Sequence, residues 1–352
     1  MKVLITNVEM DGYSGTTLYV KELALGIQNA GIEVEIFTLR VGSIGKELQT
    51  SGILVTTKLK ELSKPDIVHA HNNITAWPVL FYFKNTPMVF WIHSRLSPLD
   101  IPPKHKDIIQ YMAVDYNCKE RYTQQYGFKP GSVKVRYNWV NLNRFKQKKQ
   151  PAESLKRALM FSNYATEDGY LSAIRSACAQ MDIELEVMGK GTGSAENAPE
   201  HYLGSYDLVF AKAKAAMEAM ACGCAVIVCD FTGLAGLVTS KNYDNYRRLN
   251  FGMKLMDKPI TPQDIVDEIT LYNAEDALDV TKRLREESNF DQIFTQLTDL
   301  YSELIKRYAA GQRGEYSFNI RNYLVTRMAT FRIWIGLWTE QHFPAFRKLI
   351  GR

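Results

Sequence analysis

LVFAKAKAAMEAMACGCAVIVC, residues 208–229, is the stretch on which the fold reading turns. Residues 208–210 are three consecutive large apolar residues and suit a buried strand. The run 211–221 is almost pure helix-former, and residues 225–229 again suit a buried strand. Gly223 stands where the helix ends and the chain re-enters the sheet. Strand, helix, strand in that order implies a right-handed crossover and a parallel sheet covered on both faces. One carboxylate, Glu218, sits inside the run among small apolar residues. An unpaired charge there is costly, so it calls for a partner such as the hydroxyls of a ligand. The same residues also fit the plain structural need for a helix end and a return strand.

The alternation extends in both directions. Residues 3–8, 34–39, 67–71, 88–93, 112–116 and 133–137 read as strands, as do 158–161 and 185–188. Between the first two strands, Val20, Leu23, Ala24 and Ile27 repeat at the spacing of one buried helix face, and Gly31 supplies the stop. The polar segment KQKKQP, residues 146–151, reads as a linker. The predicted fold class is therefore α/β, with two Rossmann-like doubly wound domains, residues 1–146 and 150–305, facing across a cleft. Ligands bind at the carboxyl ends of such sheets by topology alone. The last segment, 306–352, reads as a basic, aromatic, helical tail.

The length of 352 residues suits two domains with cores of their own. Nowhere do ~18 apolar residues run without a charge, which excludes a membrane-spanning helix. The N-terminus enters a strand pattern directly, so a secretory signal is not expected and the chain reads as cytoplasmic. Five cysteines, in mostly apolar surroundings, read as buried reduced thiols rather than a disulfide frame. Cys222 and Cys224 lack the spacing and partner ligands of a zinc site, and no metal or cofactor is expected.

The loop EMDGYSGTT, residues 9–17, leads from the first strand into the first helix. Its glycines allow a close backbone approach by an anion, and the N–H groups of a helix start favour phosphate. An ordinary tight turn capped by Ser14 or Thr16 fits equally well. The third glycine of a dinucleotide fingerprint is missing, which argues against a dehydrogenase.

Taken with four other segments, this loop resembles glycosyltransferases of the GT-B fold, family GT4. EAMACGCAVI (218–227) is similar to their E-A-M-A-C-G-x-P-V-I segment, and DIVHAH (66–71) to their D-V-V-H-x-H strand. FWIH (90–93) resembles their strand ending in histidine, and NWVNLNRF (138–145) their entry to the interdomain linker. The resemblance spans roughly residues 1–305. It implies a metal-independent, retaining transfer of a sugar from a nucleotide-sugar to a cell-surface glycan or lipid-linked acceptor. By position it implies that Glu218 holds the ribose, that Gly15 and Thr16 lie beside the diphosphate and sugar, and that His93 contacts the sugar at the reaction centre. Lys190, Lys212 and Lys214 then remain as cations for the leaving diphosphate, stabilisation of developing charge being the main catalytic demand. Lys212 and Lys214 equally suit the solvated face of a helix. His93 equally suits a satisfied core position, and at least one of His69 and His71 reads as structural.

Two departures matter. The family's acid eight positions before the EAMA glutamate is replaced by Phe210, and its basic stretch after the first strand of the second domain by FSNYATEDG (161–169). Either the lysines substitute, or donor choice differs, or the chain is a catalytically impaired nucleotide-sugar-binding scaffold of the same fold.

Charge is distributed unevenly. From Lys306 onward nine cations face only Glu315 and Glu340, a net of +7 in a chain whose total is +5. Leu324, Met328, Phe331, Ile335 and Trp338 recur there at helical spacing among arginines. That composition suits the headgroup region of an anionic membrane. A helix packing back across the first domain fits as well, whereas nucleic acid is disfavoured because no base-reading motif accompanies the charge.

Overall fold

The structure, a computed structural model, describes residues 1–12, 14–129, 131–147, 150–189, 191, 193, 198–315 and 328. Of the tail read as 306–352, residues 306–315 and Met328 are described, 306–309 as the end of a helix that begins at Phe290; the rest of the helical, membrane-facing reading lies outside the described residues, and so does Lys190. Contacts divide the chain into two compact units. One comprises Met1–Val114, Cys118–Arg136 and the described residues from Gln296 onward; the other comprises Asp115–Asn117 and Tyr137–Thr295.

The first unit is built on seven parallel strands: β1 (Lys2–Glu9), β2 (Glu33–Arg40), β3 (Leu54–Thr56), β4 (Ile67–Ala70), β5 (Met88–Ile92), β6 (Ile108–Ala113) and β7 (Val133–Val135). Their order is β3-β2-β1-β4-β5-β6-β7. Around them lie α1 (Gly15–Asn29), α2 (Gly42–Thr50), α3 (Asn73–Tyr82) and α4 (Tyr116–Gln125), the last beginning in the three residues assigned to the other unit. Val20, Leu23, Ala24 and Ile27 of α1 are fully buried, as their spacing requires. Ser14 caps that helix by accepting the Thr17 backbone N–H at 3.2 Å, and Gly31 follows it at a positive φ of 70°.

The second unit carries β8 (Arg157–Phe161), β9 (Glu184–Met188), β10 (Leu208–Ala211), β11 (Ala225–Asp230) and β12 (Gly233–Leu237), in the order β12-β11-β10-β8-β9. Its helices are α5 (Leu171–Gln180), α6 (Ala213–Ala221), α7 (Tyr243–Arg248), α8 (Pro262–Thr270) and α9 (Ala274–Glu287). Residues of β10 alternate between two cores. Val209 and Ala211 join Ala216, Met217 and Met220 of α6 on one face, while Leu208 and Phe210 join Met160, Ile174 and Ile227 on the other. The final described helix, α10 (Phe290–Ala309), begins in the second unit and ends in the first.

The two-sheet α/β class holds, and several local readings are corrected. Strand β6 lies at 108–113 rather than 112–116, with Tyr116 opening α4. Gln110 masks the apolar run; its amide is satisfied in place by the carbonyls of Tyr111 and Ser132. Helix α6 begins two residues later than its alanines suggest, because Ala211 completes β10 and Ala213 takes a positive φ of 50°. Strands β3 and β12 escape the reading. The first has only three residues, and the second is the glycine-rich GLAGL, which pairs antiparallel with β11. All five cysteines are buried and free.

Candidate functional site

In the second unit β9 follows β8 in the chain, yet β10 lies on the other side of β8. Successive connections thus leave in opposite directions, and the switch point falls between β8 and β10, where open α/β sheets hold their ligands. Lys212 directly follows β10 at this place. Its ammonium is in contact with the carboxylate of Asp230, which ends β11 and is fully buried. Asp230 Oδ1 also accepts the Phe231 backbone N–H at 2.8 Å and the Tyr170 hydroxyl at 3.4 Å. Burial drives the Lys212 ammonium down, to about 8, while the adjoining carboxylate favours its charged form. The side chain stays 22% exposed, so Lys212 is neither on a helix nor fully solvated.

Two exposed rings accompany it. Lys212 Nζ lies 4.8 Å from the ring centre of Tyr164 and 5.3 Å from that of Phe231, the rings being 5.7 Å apart. Tyr164 and Phe231 are 60% and 59% exposed, Tyr164 three residues beyond β8 and Phe231 directly after β11. Tyr164 is held by its loop, where Ser162 Oγ accepts both its backbone N–H and the Tyr170 hydroxyl. Glycine is required behind that loop: a Cβ on Gly189 would meet the Ser162 carbonyl oxygen at 1.9 Å.

Lys214 lies in the first turn of α6, partly exposed, with Nζ 6.0 Å from the Trp139 ring centre. Glu218 is on the same helix and 6% exposed. Phe210, in the position of the family's acid, is fully buried in the core and offers nothing to a ligand. In chemical terms the end of this sheet presents a half-buried cation, the positive end of a helix and two exposed rings. It is fitted to an anion carrying a flat or apolar ring.

In the first unit the switch point lies between β1 and β4. Gly15 and Thr16 open α1 there, Gly15 exposed and Thr16 partly so. A Cβ on Gly15 would meet nothing within 4 Å, so packing alone does not demand a glycine. His93 follows β5 and is partly exposed; its ring Nε2 lies 2.7 Å from His71 Nδ1. Behind this pair, His69 and His71 are fully buried, with Trp91 stacked on His69 at 4.8 Å and Tyr19 edge-on to His71 and His93. His69 Nδ1 shares a 2.6 Å hydrogen bond with the Tyr301 hydroxyl of α10. Burial holds His69 at about 3 and His71 well below the ordinary imidazole value, so both are neutral at pH 7.

The backbone of His93 is fixed by Asp100, whose Oδ1 accepts its N–H at 3.0 Å. Burial pushes that carboxyl up to about 7. Arg121 fixes the same loop by donating to the carbonyls of Ser94 and Ser97 at 3.1 and 3.0 Å. Sequence reasoning selected His93, Gly15, Thr16, Lys212, Lys214 and Glu218, and the structure groups the first three in one unit and the last three in the other. It missed Asp230, Tyr164, Phe231 and Asp100. An acid just past a buried strand was the available signal for Asp230; nothing in the residue pattern singles out Asp100.

Comparison with known proteins agrees with this picture. Residues 13–144 match the family model Glycosyltransferase Family 4. No curated protein matches the chain by sequence. Among solved structures, a glycosyltransferase from Rickettsia africae ESF-5 superimposes with a TM-score of 0.63 at 13% identity, covering 87% of this chain and 98% of its own. AviGT4, a glycosyltransferase involved in avilamycin A biosynthesis, gives 0.53 at 13% identity over 89% and 99% of the two chains. A TarM variant from S. aureus, in complex with fondaparinux, alpha-GlcNAc-glycerol and UDP, gives 0.56 at 10% over 85% and 99%. By family model the chain resembles Glycosyltransferase Family 4 over residues 13–144, and over most of its length it has the GT-B fold.

Proposed function

We propose that the chain transfers a sugar from a nucleotide-sugar to a cell-surface glycan or lipid-linked acceptor, with retention and without a metal or other cofactor. The observation that carries the reading is Lys212 at the β8/β10 switch point, half-buried, at the positive end of α6 and beside two exposed rings. A leaving nucleoside diphosphate gains charge as the glycosidic bond breaks, and a preformed cation in a partly desolvated setting stabilises it more than water does. Lys214 adds to that field, and Lys190 is assigned to the same donor. Glu218 holds the ribose hydroxyls as acceptor of their hydrogen bonds. In the other unit, Gly15 and Thr16 bind donor oxygens through the start of α1, and His93 contacts the transferred sugar. UDP bound to TarM, a protein of the same fold, supports the donor class. The tail of residues 306–352 is assigned to a peripheral contact at the inner face of the membrane, where lipid-linked acceptors are met.

The test is a thermal-shift screen over nucleoside diphosphates and nucleotide-sugars, since a ligand that binds only the native state raises the melting point. At 100 times Kd the expected stabilisation is ~2.7 kcal/mol. Glu218→Ala should abolish the shift while leaving the unliganded melting point within a few degrees; an unchanged shift overturns the assignment. A second reading, a nucleotide-sugar-binding scaffold, is favoured by one observation: Phe210 fills the core where the family places an acid. Transfer or hydrolysis of any nucleotide-sugar by the purified protein, undiminished by EDTA, excludes it.

A further inference from the structure

We propose that Tyr301, His69 and His71 form a directed chain of hydrogen-bond donors that fixes the tautomer of His93, which then carries its proton on Nδ1 and meets the sugar as a donor rather than as a base. In the donor reading, on which this proposal rests, His93 contacts the transferred sugar. The three residues behind it act through it and are positioning residues.

All four belong to the first unit. Strands β4 and β5 pair with His69 beside Val89 and Ala70 beside Phe90. Side chains alternate along a strand, so 69 and 71 share a face with 89, 91 and 93, His71 and His93 each standing one residue beyond its strand. Tyr19 of α1 closes over this face edge-on to His71 and His93, and Trp91 stacks on His69. His69 and His71 are thereby removed from water, and the charged group acting on Tyr19 is a cation, Arg136. Neither circumstance favours an imidazolium, so each of the two rings has one nitrogen with a proton and one without.

The direction of the chain is set at its Tyr301 end. The buried Tyr301 hydroxyl lies 2.6 Å from His69 Nδ1, short for an N–H donor and ordinary for an O–H donor. Burial raises the phenol well above its ordinary value and holds the imidazole low, which keeps the proton on the tyrosine oxygen. His69 therefore accepts at Nδ1 and carries its own proton on Nε2. The Nε2 atoms of His69 and His71 are both buried, and neither has a hydrogen-bond partner among the described residues; the ring centres are 4.6 Å apart. Protons on both would put two donors without an acceptor into one enclosure, whereas a bare Nε2 on His71 offers the His69 donor an acceptor. His71 accordingly carries its proton on Nδ1 and donates it to His93 Nε2 at 2.7 Å. An accepting nitrogen bears no proton, so that of His93 sits on Nδ1.

Long-range proton–nitrogen correlation spectra of the imidazole rings read the tautomers directly in unliganded, full-length protein labelled with 15N-histidine at pH 7.5. The 6 histidines are assigned by single His→Gln variants. His69 is expected to be protonated on Nε2, and His71 and His93 on Nδ1. Tyr301→Phe keeps the ring and removes the hydroxyl; it should release His69 and, through His71, bring His93 into a mixture of tautomers. His93 protonated on Nε2 in the wild type, or ring spectra of all three histidines unchanged by Tyr301→Phe, overturns the proposal. Binding of UDP-glucose and of UDP is then measured side by side. Tyr301→Phe should weaken UDP-glucose about three- to tenfold, the equivalent of one hydrogen bond, and leave UDP unchanged. His71→Leu should do the same, and His71→Asn, whose amide nitrogen replaces the Nδ1 donor, should recover most of the loss. Equal losses in the Leu and Asn variants, both melting cooperatively, overturn the chain. Absence of binding by either probe to the wild type counts against the donor reading alone, because the tautomers are read without ligand.

Discussion

Removing the charge of Lys212 should destabilise the protein before it says anything about catalysis. Asp230 has no exposed surface, and its charge is balanced by the Lys212 ammonium with two further hydrogen bonds from Phe231 N–H and Tyr170. Lys212→Met leaves that carboxylate buried without a counter-ion, a change that costs about 3–5 kcal/mol. Asp230→Asn is milder, about 1–2 kcal/mol, because Lys212 keeps a 22% exposed path to water and loses only a partner. The double variant buries no net charge and should lie near the milder single, so the coupling is about 3–5 kcal/mol in favour of the pair. Urea unfolding at pH 7.5 with a common m-value measures all four proteins. Costs that simply add, or a Lys212→Met variant within 1 kcal/mol of wild type, refute the reasoning. The double variant then serves as a folded background: if Lys212 neutralises the leaving diphosphate, it should melt near wild type yet show no shift with UDP.

Phe210→Asp, which restores the family's acid, should abolish folding rather than improve transfer, since it drives a carboxylate into a fully buried site; a soluble, cooperatively melting variant would contradict this. Gly189→Ala should cost about 1–3 kcal/mol and weaken nucleotide shifts together, because the clash with the Ser162 carbonyl displaces the loop bearing Tyr164; chemical denaturation and the shift assay check both parts. For His69, the folded value near 3 lies below the unfolded ~6.5, so its contribution is complete above pH 6.5 and is lost as pH falls from there toward 3. Wild type should lose about 1 kcal/mol more than His69→Gln between pH 6 and pH 5. Asp100 has the opposite sense, its folded value near 7 making it lose stability as pH rises from about 4, which is why the comparison is made against the variant and not on wild type alone. Equal pH slopes for wild type and His69→Gln would remove the buried-imidazole argument.

Sheet and helix periodicity was legible wherever an element buries a whole face. α1 shows this with Val20, Leu23, Ala24 and Ile27, and β10 and β11 with unbroken apolar runs. Where the buried element carries a polar residue satisfied by its neighbours, as Gln110 does in β6, the pattern breaks although the strand does not. Three-residue β3 is held by its pairing with β2, more than ten residues back in the chain, and β12 forms a hairpin with the adjacent β11 although its glycines carry no strand pattern. His93 and the loop at Gly15 stand at carboxyl ends of strands, where the motifs that selected them lie, while the motif that selected Glu218 runs along α6 into β11. Asp100 was not legible, since its role is to accept one backbone N–H across a loop of seven residues.

The site in the second unit shows why a linear motif is an incomplete description of a charge arrangement. Read along β10 alone, Phe210 stands where the resembling family has an acid, and a polar contact is missing. Register places Phe210 beside Ile227 and Ala211 beside Val228, so Lys212, just beyond β10, and Asp230, the last residue of β11, come together at the carboxyl ends of the two strands. The negative charge at this end of the sheet is thus supplied from the neighbouring strand, twenty residues downstream of the motif position, and it faces a lysine rather than solvent. An arriving diphosphate competes with Asp230 for the Lys212 ammonium. Any affinity of this site for nucleotide therefore reflects a difference between two anions, and Asp230→Asn should tighten nucleoside diphosphate binding while Asp230→Glu should not.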